Sequence, residues 1–264
     1  MSRSRRSFGH PLEAGWRGPC EAPTWSAAIV HVPSPEAGLH MIEIVSATRL
    51  QEAEFAASSA LGLSLRRLGF DGRLTASIAF ANRSGLPDVF NSRILAADSA
   101  EMLVFMHDDV WIEDQFLADR VIEGLRNYDV IGVAGNRRRV PGQPAWAFVD
   151  PKFTWDERAN LSGSVAHGSQ PFGAVSYFGP VPSACELLDG VFLAARKSSL
   201  VSRGVLFDPR FDFHFYDMDF CRSAREAGLR LGTWPVCLTH QSGGAFGGER
   251  WRELYRAYLA KWGT

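Results

Sequence analysis

The stretch at residues 213–244 reads FHFYDMDFCRSAREAGLRLGTWPVCLTHQSGG. Asp217 and Asp219 stand two residues apart at the start of an amphipathic run that predicts a short helix. The residues after that helix predict a strand, which ends at His240. A pair of carboxylates at a helix start and an imidazole at the end of the next strand favour a catalytic site over packing. Each aspartate taken alone is as consistent with a plain helix cap.

Composition and charge indicate which classes of protein the chain can belong to. The 264 residues are 46% hydrophobic and 22% charged with a net charge of −1, which is typical of a soluble globular protein. Such a balance gives no general attraction to nucleic acid or to anionic membranes. No apolar run reaches the roughly 18 residues that a membrane-spanning helix needs. The four cysteines form no CxxC pair, which favours free thiols in a reducing cytoplasm.

The first 40 residues are rich in Pro, Gly, Arg and Ser without any helical or strand period, and they predict a disordered extension. The start SRSRRSF superficially matches an export signal, but no apolar segment follows it. We therefore expect a single domain over residues 41–264.

From Met41 onward, predicted strands and helices alternate. Strands are predicted at 42–47, 74–81, 101–106, 129–134, 186–195 and 229–239, the last broken at Trp234-Pro235. Helices are predicted at 50–68, at 197–202 and at 249–262. Two more are predicted to begin at Pro87, with Val89, Phe90 and Leu95 facing inward, and at Glu113 or Asp114, with Leu117, Val121 and Leu125 in line. This alternation predicts an α/β fold with a mostly parallel sheet flanked by helices. Residues 136–185 interrupt it and predict an irregular but ordered insert rich in Gly, Pro and aromatic residues.

A second acidic site follows the predicted strand at 101–106, where the chain reads His107-Asp108-Asp109. Ligands of α/β sheets bind beyond the carboxyl ends of the strands, so residues 46–49, 82–84 and 107–109 should surround one crevice. Carboxylates at that edge suit a divalent cation such as Mg²⁺. A solvated loop that caps the next helix is the equally open alternative.

Several motifs in order carry a family resemblance: VFMHDDVWI, NRRRVPGQPAW, LSGSVAHG, LLDGVFLAAR, FDFHFYDMDFCR and GTWPVCLTHQSGG. Over roughly residues 41–262 the chain resembles the family-2-like glycosyltransferases of GT-A fold, and more narrowly the bacterial StrF-type (streptomycin biosynthesis) glycosyltransferase-like group. The resemblance implies a GT-A (Rossmann-like) α/β fold. It also implies a nucleotide-diphosphate sugar donor, a divalent metal (Mn²⁺ or Mg²⁺), a glycan or small-molecule acceptor, and inverting transfer in bacterial polysaccharide or secondary-metabolite assembly.

The resemblance also implies roles for individual residues. Asp109 and His240 match metal ligands, with His107 standing where the family often has an acid or Asn. Asp217 matches the general base, although Tyr216 replaces the Glu that usually precedes it, and Asp219 stays open as the alternative base. Contacts to donor or acceptor are implied for Thr48, Arg49, Asn82, Asn91, Asp108 and Asp189. Ala81 replaces the Asp that usually precedes the Asn, and Arg137–Arg139 suit either a diphosphate or a solvated loop.

Two other functions compete with glycosyl transfer. A nucleotidyltransferase would normally carry a Gly-rich phosphate loop after the first strand, whereas that loop reads SATRLQEAE. A catalytically silent module that binds a nucleotide sugar or a glycan is the alternative from another class, and the departures at Ala81, His107 and Tyr216 favour it.

Overall fold

The computed structural model describes residues 41–263, and the disordered extension expected over residues 1–40 lies outside the described residues. The strands are β1 (Ile42–Ala47), β2 (Leu74–Ala79), β3 (Met102–Met106), β4 (Val110–Ile112), β5 (Val130–Gly132), β6 (Ala134–Asn136), β7 (Leu161–His167), β8 (Ala174–Gly179), β9 (Ser183–Cys185), β10 (Leu187–Leu188), β11 (Phe192–Arg196), β12 (Leu231–Thr233) and β13 (Leu238–His240). The helices are α1 (Glu52–Ser58), α2 (Ala60–Leu68), α3 (Leu86–Leu95), α4 (Leu117–Asn127), α5 (Lys197–Arg203), α6 (Tyr216–Glu226) and α7 (Glu249–Trp262).

The central sheet has seven strands in the order β2-β1-β3-β11-β5-β12-β9. β1 pairs in parallel with β2 and β3, and β5 pairs in parallel with β12. β11 runs antiparallel to β3 and β5, and β9 runs antiparallel to β12. The α/β class is confirmed. The expected mostly parallel sheet is mixed, because β9 and β11 run against the other strands. Every residue of β3 is buried, as expected of an apolar strand in the middle of a covered sheet.

A second sheet has the order β10-β6-β7-β13-β4, with β8 paired to β7. Its β7–β8 hairpin comes from the 136–185 insert, for which the sequence predicted an irregular but ordered segment. Two predicted strands are each divided between the sheets: 129–134 becomes β5 and β6, and 186–195 becomes β10 and β11. The chain changes sheet at Val133 and at 189–191 without a sequence signal that distinguishes these points from a continuous apolar strand.

The helices follow the predicted amphipathic pattern with three differences. The helix expected to open at Glu113 or Asp114 begins only at Leu117. The helix predicted over 50–68 breaks at Ser59, whose extended backbone (φ −74°, ψ 148°) separates α1 from α2. The Ser59 hydroxyl accepts a hydrogen bond from the Gly62 N–H at 2.9 Å, so this serine caps α2. In α3, Leu95 was expected to face inward but is 63% exposed, and Ile94 is buried instead.

Helices α6 and α7 are joined by a buried ion pair. Asp219 is fully buried, and its Oδ1 accepts a hydrogen bond from Trp262 Nε1 at 2.7 Å and pairs with Lys261 Nζ at 2.7 Å. The Arg222 guanidinium lies 4.4 Å from the centre of the Trp262 ring. Removing one partner of a buried pair leaves an uncompensated charge, so Asp219 anchors the C-terminal helix against α6.

Among residues 41–263, no helix combines the length and the apolar character that crossing a bilayer requires.

Candidate active site

Asp217 lies in the first turn of α6. Phe215 precedes the helix with a left-handed backbone (φ 65°), which turns the chain sharply into α6. The Asp217 carboxylate accepts hydrogen bonds from the Met218 N–H at 2.8 Å and from the Gly190 N–H at 3.1 Å. A Cβ at Gly190 would lie 2.3 Å from the Tyr216 hydroxyl and 2.9 Å from the Asp217 Cβ, so only glycine allows this approach.

The Asp217 carboxyl is a much weaker acid than an ordinary aspartate. Burial, and then the negative charge of Asp189, raise the pKa of the Asp217 carboxyl to about 7, although its backbone hydrogen bonds favour the ionised form. Asp189 lies in the turn between β10 and β11, where it accepts hydrogen bonds from Trp146 Nε1 at 2.8 Å and from the Val191 N–H at 2.9 Å. A carboxylate that titrates near neutral pH is suited to accept a proton during a reaction.

His107, Asp109 and His240 form a cluster of possible metal ligands, with one donor atom from each lying within 4.8 Å of the others. The strand register explains the cluster, because β13 pairs with β4 and places His240 opposite Val110, next to Asp109. His240 Nε2 lies 3.2 Å from Asp109 Oδ1, and His107 Nδ1 lies 3.9 Å from the same oxygen. Burial raises the pKa of Asp109, but its hydrogen bond to His240 and the charges of both histidines outweigh burial and lower that pKa to about 2.

The orientation of His107 is set by Tyr216. The Tyr216 hydroxyl donates to the Gly190 carbonyl at 2.9 Å and lies 2.8 Å from His107 Nε2. Since the hydroxyl proton is used on Gly190, Nε2–H of His107 is the donor to Tyr216, and Nδ1 carries the lone pair that faces Asp109. Burial lowers the pKa of His107, which favours the neutral imidazole that binds metals.

Two cavities meet at Phe213 and His214, which line both. The first, the arginine cavity, has a volume of about 380 Å³. Its lining includes Thr48, Arg49, Asn82, Arg83, Ser84, Asp108 and Arg250. The second, the aromatic cavity, has a volume of about 580 Å³. Its lining includes His107, Trp146, Phe148, Trp155, Phe178, Asp189, Asp217, His240, Phe246 and Trp251.

A further cavity of about 600 Å³ is bordered by Met41, Glu43, Glu101 and Lys197. It lies at the amino-terminal ends of β1 and β3. Ligands of open α/β sheets bind at the opposite, carboxyl-terminal ends of the strands, where the histidines and aspartates described above converge.

Most residues singled out in the sequence lie in one of the two cavities. Thr48, Arg49, Asn82 and Asp108 border the arginine cavity, whereas Asp189, Asp217 and His240 border the aromatic cavity. Asp108 and Asp109 are thereby separated, because only Asp109 joins the histidine cluster.

Asn91 lies elsewhere. Its amide donates to the Phe207 carbonyl at 2.7 Å and accepts from the Phe207 N–H at 2.9 Å, and it borders neither cavity. The side chain therefore joins α3 to the chain before α6. Arg137–Arg139 border neither cavity either, and Arg138 forms an ion pair with Asp156.

Two residues of the site were not predicted as such. His107 was noted only as a departure from the expected acid, yet it supplies a donor atom to the cluster. Its spacing to Asp109 at a strand end, an H-x-D pattern, was the available signal. Tyr216 was likewise noted as a replacement, and nothing in the sequence indicates its hydrogen bond to a residue 109 positions away.

No protein-family model matches the chain, and the search of curated proteins found no match. Solved structures resemble it at low identity. "Crystal structure of GalNAc-T7 with UDP, GalNAc and Mn2+" has 11% identity and a TM-score of 0.48, covering 85% of this chain and 49% of that one. The chain thus spans about half the length of that protein.

The catalytic domain of Drosophila β1,4-galactosyltransferase 7 in complex with xylobiose has 12% identity and a TM-score of 0.43, covering 82% of this chain and 79% of that one. A197 from STIV has 9% identity and a TM-score of 0.43, covering 79% of this chain and 98% of that one. These likenesses are distant, and nothing about the reaction of this chain follows from them.

Proposed function

We propose that this protein is a metal-dependent, inverting glycosyltransferase of GT-A type, which moves a sugar from a nucleotide-diphosphate donor to an acceptor hydroxyl. The observation that carries the proposal is the position of Asp217. Its carboxyl, with a pKa of about 7, borders the aromatic cavity, whose lining also includes His107 and His240 and which shares Phe213 and His214 with the arginine cavity. A base that titrates near neutral pH, in a cavity next to one lined by arginines, suits glycosyl transfer from a nucleotide sugar.

The arginine cavity suits the donor. Arg49, Arg83 and Arg250 line it, and guanidinium groups bind phosphate oxygens in a bidentate geometry. Arg250 forms an ion pair with Asp212, another lining residue, at 2.7 Å, so Arg49 and Arg83 are the main candidates for phosphate contacts. Thr48 and Asn82 stand at the ends of β1 and β2, where the family resemblance places the nucleoside. The cavity volume of about 380 Å³ lies within the usual range for small-molecule sites.

The histidine cluster suits a divalent ion. Two imidazoles and one carboxylate form a mixed nitrogen and oxygen donor set, which fits a first-row transition ion such as Mn²⁺ better than Mg²⁺, since Mg²⁺ prefers oxygen ligands. Such an ion would be held by His107, Asp109 and His240, and when bound it would offset the charge of the leaving diphosphate.

The remaining chemistry belongs to Asp217. Its carboxylate takes the proton of the acceptor hydroxyl while the hydroxyl oxygen forms a bond to the anomeric carbon. The bond from that carbon to the diphosphate oxygen breaks, and the nucleotide diphosphate leaves with the electron pair. Attack on the face opposite the leaving group inverts the anomeric centre. The N–H groups of Gly190 and Met218 hold the carboxylate in place during the transfer.

The StrF-type resemblance extends the proposal to bacterial surface-polysaccharide or secondary-metabolite assembly in the cytoplasm. A silent nucleotide-sugar or glycan-binding module is the second candidate. It is favoured by Tyr216, which stands where the resemblance expects a Glu and whose hydroxyl is committed to His107 and Gly190.

The test is a panel of UDP-, GDP- and dTDP-sugars incubated with the full-length protein, with Mn²⁺ or with EDTA. Glycosyl transfer predicts Mn²⁺-dependent release of the nucleotide diphosphate from one donor. A nucleotidyltransferase would instead release pyrophosphate from a nucleoside triphosphate. Thermal stabilisation by a nucleotide sugar, with no release even when candidate acceptors are added, would contradict the enzyme and support the binding module.

A further inference from the structure

We propose that the aromatic cavity is the acceptor site and that it selects an acceptor without negative charge, with a flat, apolar body that carries the reacting hydroxyl. This inference rests on the proposed glycosyl transfer and adds the chemical class of the second substrate. Phenolic and polycyclic alcohols belong to this class, whereas hydrophilic saccharides and anionic acceptors do not.

The walls of the cavity are aromatic. Trp155 and Phe178 lie nearly parallel, at 18° and 6.0 Å between ring centres. Phe148 meets Trp155 edge to face at 5.0 Å, and Phe246 meets Phe148 at 5.4 Å. Trp155 is 55% exposed, so part of a large indole remains available for contact. Aromatic faces stack well on flat apolar ligands.

The Trp146 ring, one wall of the cavity, is held in place by a hydrogen bond to Asp189. Trp146 is 8% exposed, and its Nε1 donates to Asp189 at 2.8 Å. Its ring meets Phe178 edge to face at 5.0 Å. The indole is therefore held in one orientation next to Asp189 and Asp217, which gives a rigid surface against which an acceptor can be aligned with the base.

The two cavities differ in their cationic side chains. Three arginines line the arginine cavity together with the carboxylates Asp108 and Asp212, whereas neither Lys nor Arg is among the described residues that line the aromatic cavity. Asp189 and Asp217 are the carboxylates of that lining. An anionic acceptor would meet two carboxylates and no side-chain ammonium or guanidinium group, which disfavours it.

Hydrogen-bonding groups of the cavity are concentrated near the base and the histidine cluster. Ser242 is bound to His240 at 3.0 Å, and both oxygens of Asp189 already have partners. The other polar side-chain groups among the described lining residues are the Ser176 hydroxyl, the indole N–H groups of Trp155 and Trp251, and the imidazoles of His167 and His214. A saccharide would bury several hydroxyl groups against phenyl rings without partners, which costs binding free energy.

Binding to the full-length protein, followed by tryptophan fluorescence and by calorimetry without donor or metal, tests the inference. The probes are 2-naphthol, the same ring with a carboxylate at position 6, and lactose. We expect 2-naphthol to bind about tenfold more tightly than each of the other two. Tighter or equal binding of the anion or the disaccharide would overturn the proposal.

Variants locate the bound probe. Trp155→Ala should weaken 2-naphthol binding about tenfold, and Trp155→Phe should restore most of it, because the ring face is retained. Phe116→Ala is the matched control, since Phe116 is 63% exposed and lines neither cavity. Unchanged binding in Trp155→Ala would contradict the assignment. Because these measurements need no turnover, their failure is distinguishable from failure to release a nucleotide diphosphate, which would contradict the transferase itself.

Discussion

The Tyr216 hydroxyl joins His107 to the backbone of the β10–β11 turn, at 2.8 Å from His107 Nε2 and 2.9 Å from the Gly190 oxygen. It thereby links the proposed metal ligand to the turn that also holds Asp217. Tyr216 is a positioning residue, since the hydroxyl acts through His107 by fixing which ring nitrogen carries the proton.

Tyr216→Phe should weaken Mn²⁺ binding about 10- to 100-fold, as removal of an outer hydrogen bond to a ligating histidine usually does. The ring packing is retained, but His107 and Gly190 each lose a buried partner, so unfolding should become easier by about 1–3 kcal/mol. Calorimetry with Mn²⁺ and chemical denaturation measure the two effects. Tyr128→Phe, remote from the cluster, is the control. A variant that lost stability yet bound Mn²⁺ as wild type does would refute the positioning role.

Substitution of the neighbouring residues Asp108 and Asp109 should affect Mn²⁺ binding differently. Asp109→Asn removes a carboxylate from the histidine cluster and should abolish Mn²⁺ binding, measured by electron paramagnetic resonance of free Mn²⁺. Asp108→Asn should leave Mn²⁺ affinity within about twofold, because Asp108 borders the arginine cavity instead. Equal losses in the two variants would show that the cluster is not the metal site.

Arg49 should contribute to donor binding through charge. Arg49→Gln is expected to weaken binding of nucleotide diphosphates about tenfold, with a smaller loss at high salt because the interaction is screened. Titration calorimetry at two ionic strengths measures this. Arg203→Gln, at the end of α5 and outside both cavities, is the control. Identical affinities for Arg49→Gln and wild type would exclude the arginine cavity as the diphosphate site.

Because the pKa of Asp217 is raised on folding, the folded protein should become less stable as the pH rises. The folded-state pKa of about 7 lies well above the ordinary pKa of an aspartate, so between the two values the folded protein retains a proton that the unfolded chain has lost. The protonated group favours the folded state below its folded pKa, and that contribution is lost as the pH rises through 7. Asp217→Asn should therefore gain up to about 2 kcal/mol relative to wild type between about pH 5 and about pH 8. Urea unfolding at the two pH values checks this, and a pH-independent difference would contradict the raised pKa.

Periodic segments were predictable because their patterns are local. Strand β1 and helix α7 have the predicted bounds, and the break at Trp234-Pro235 separates β12 from β13 as expected. The approach of Asp109 and His240 was implied by the family resemblance, which matches both to metal ligands, and the pairing of β13 with β4 in the second sheet produces it. The split of 129–134 between two sheets was not predictable, because short apolar runs look alike in one sheet or two.

Long-range pairings escaped prediction for a different reason. The Tyr216–His107 contact and the Asp219–Lys261 pair depend on how α6 and α7 pack, which no spacing along the chain reveals. For Asn91, a contact was expected from its position along the chain and is not found. An amide on the helix next to a crevice is expected to face the ligand, but here the Phe207 backbone satisfies it.

The central claim is that Asp217 is the base of a glycosyl transfer, and the most direct measurement compares wild type with Asp217→Asn on the same nucleotide sugar. Donor affinity and Mn²⁺-dependent release of the nucleotide diphosphate are measured together, with Asp98→Asn, an exposed change, as the control. We predict that donor affinity is retained, that release falls at least about 100-fold in Asp217→Asn, and that the wild-type rate rises with pH through about 7. Release by Asp217→Asn at the wild-type rate and with the same pH profile would contradict the claim.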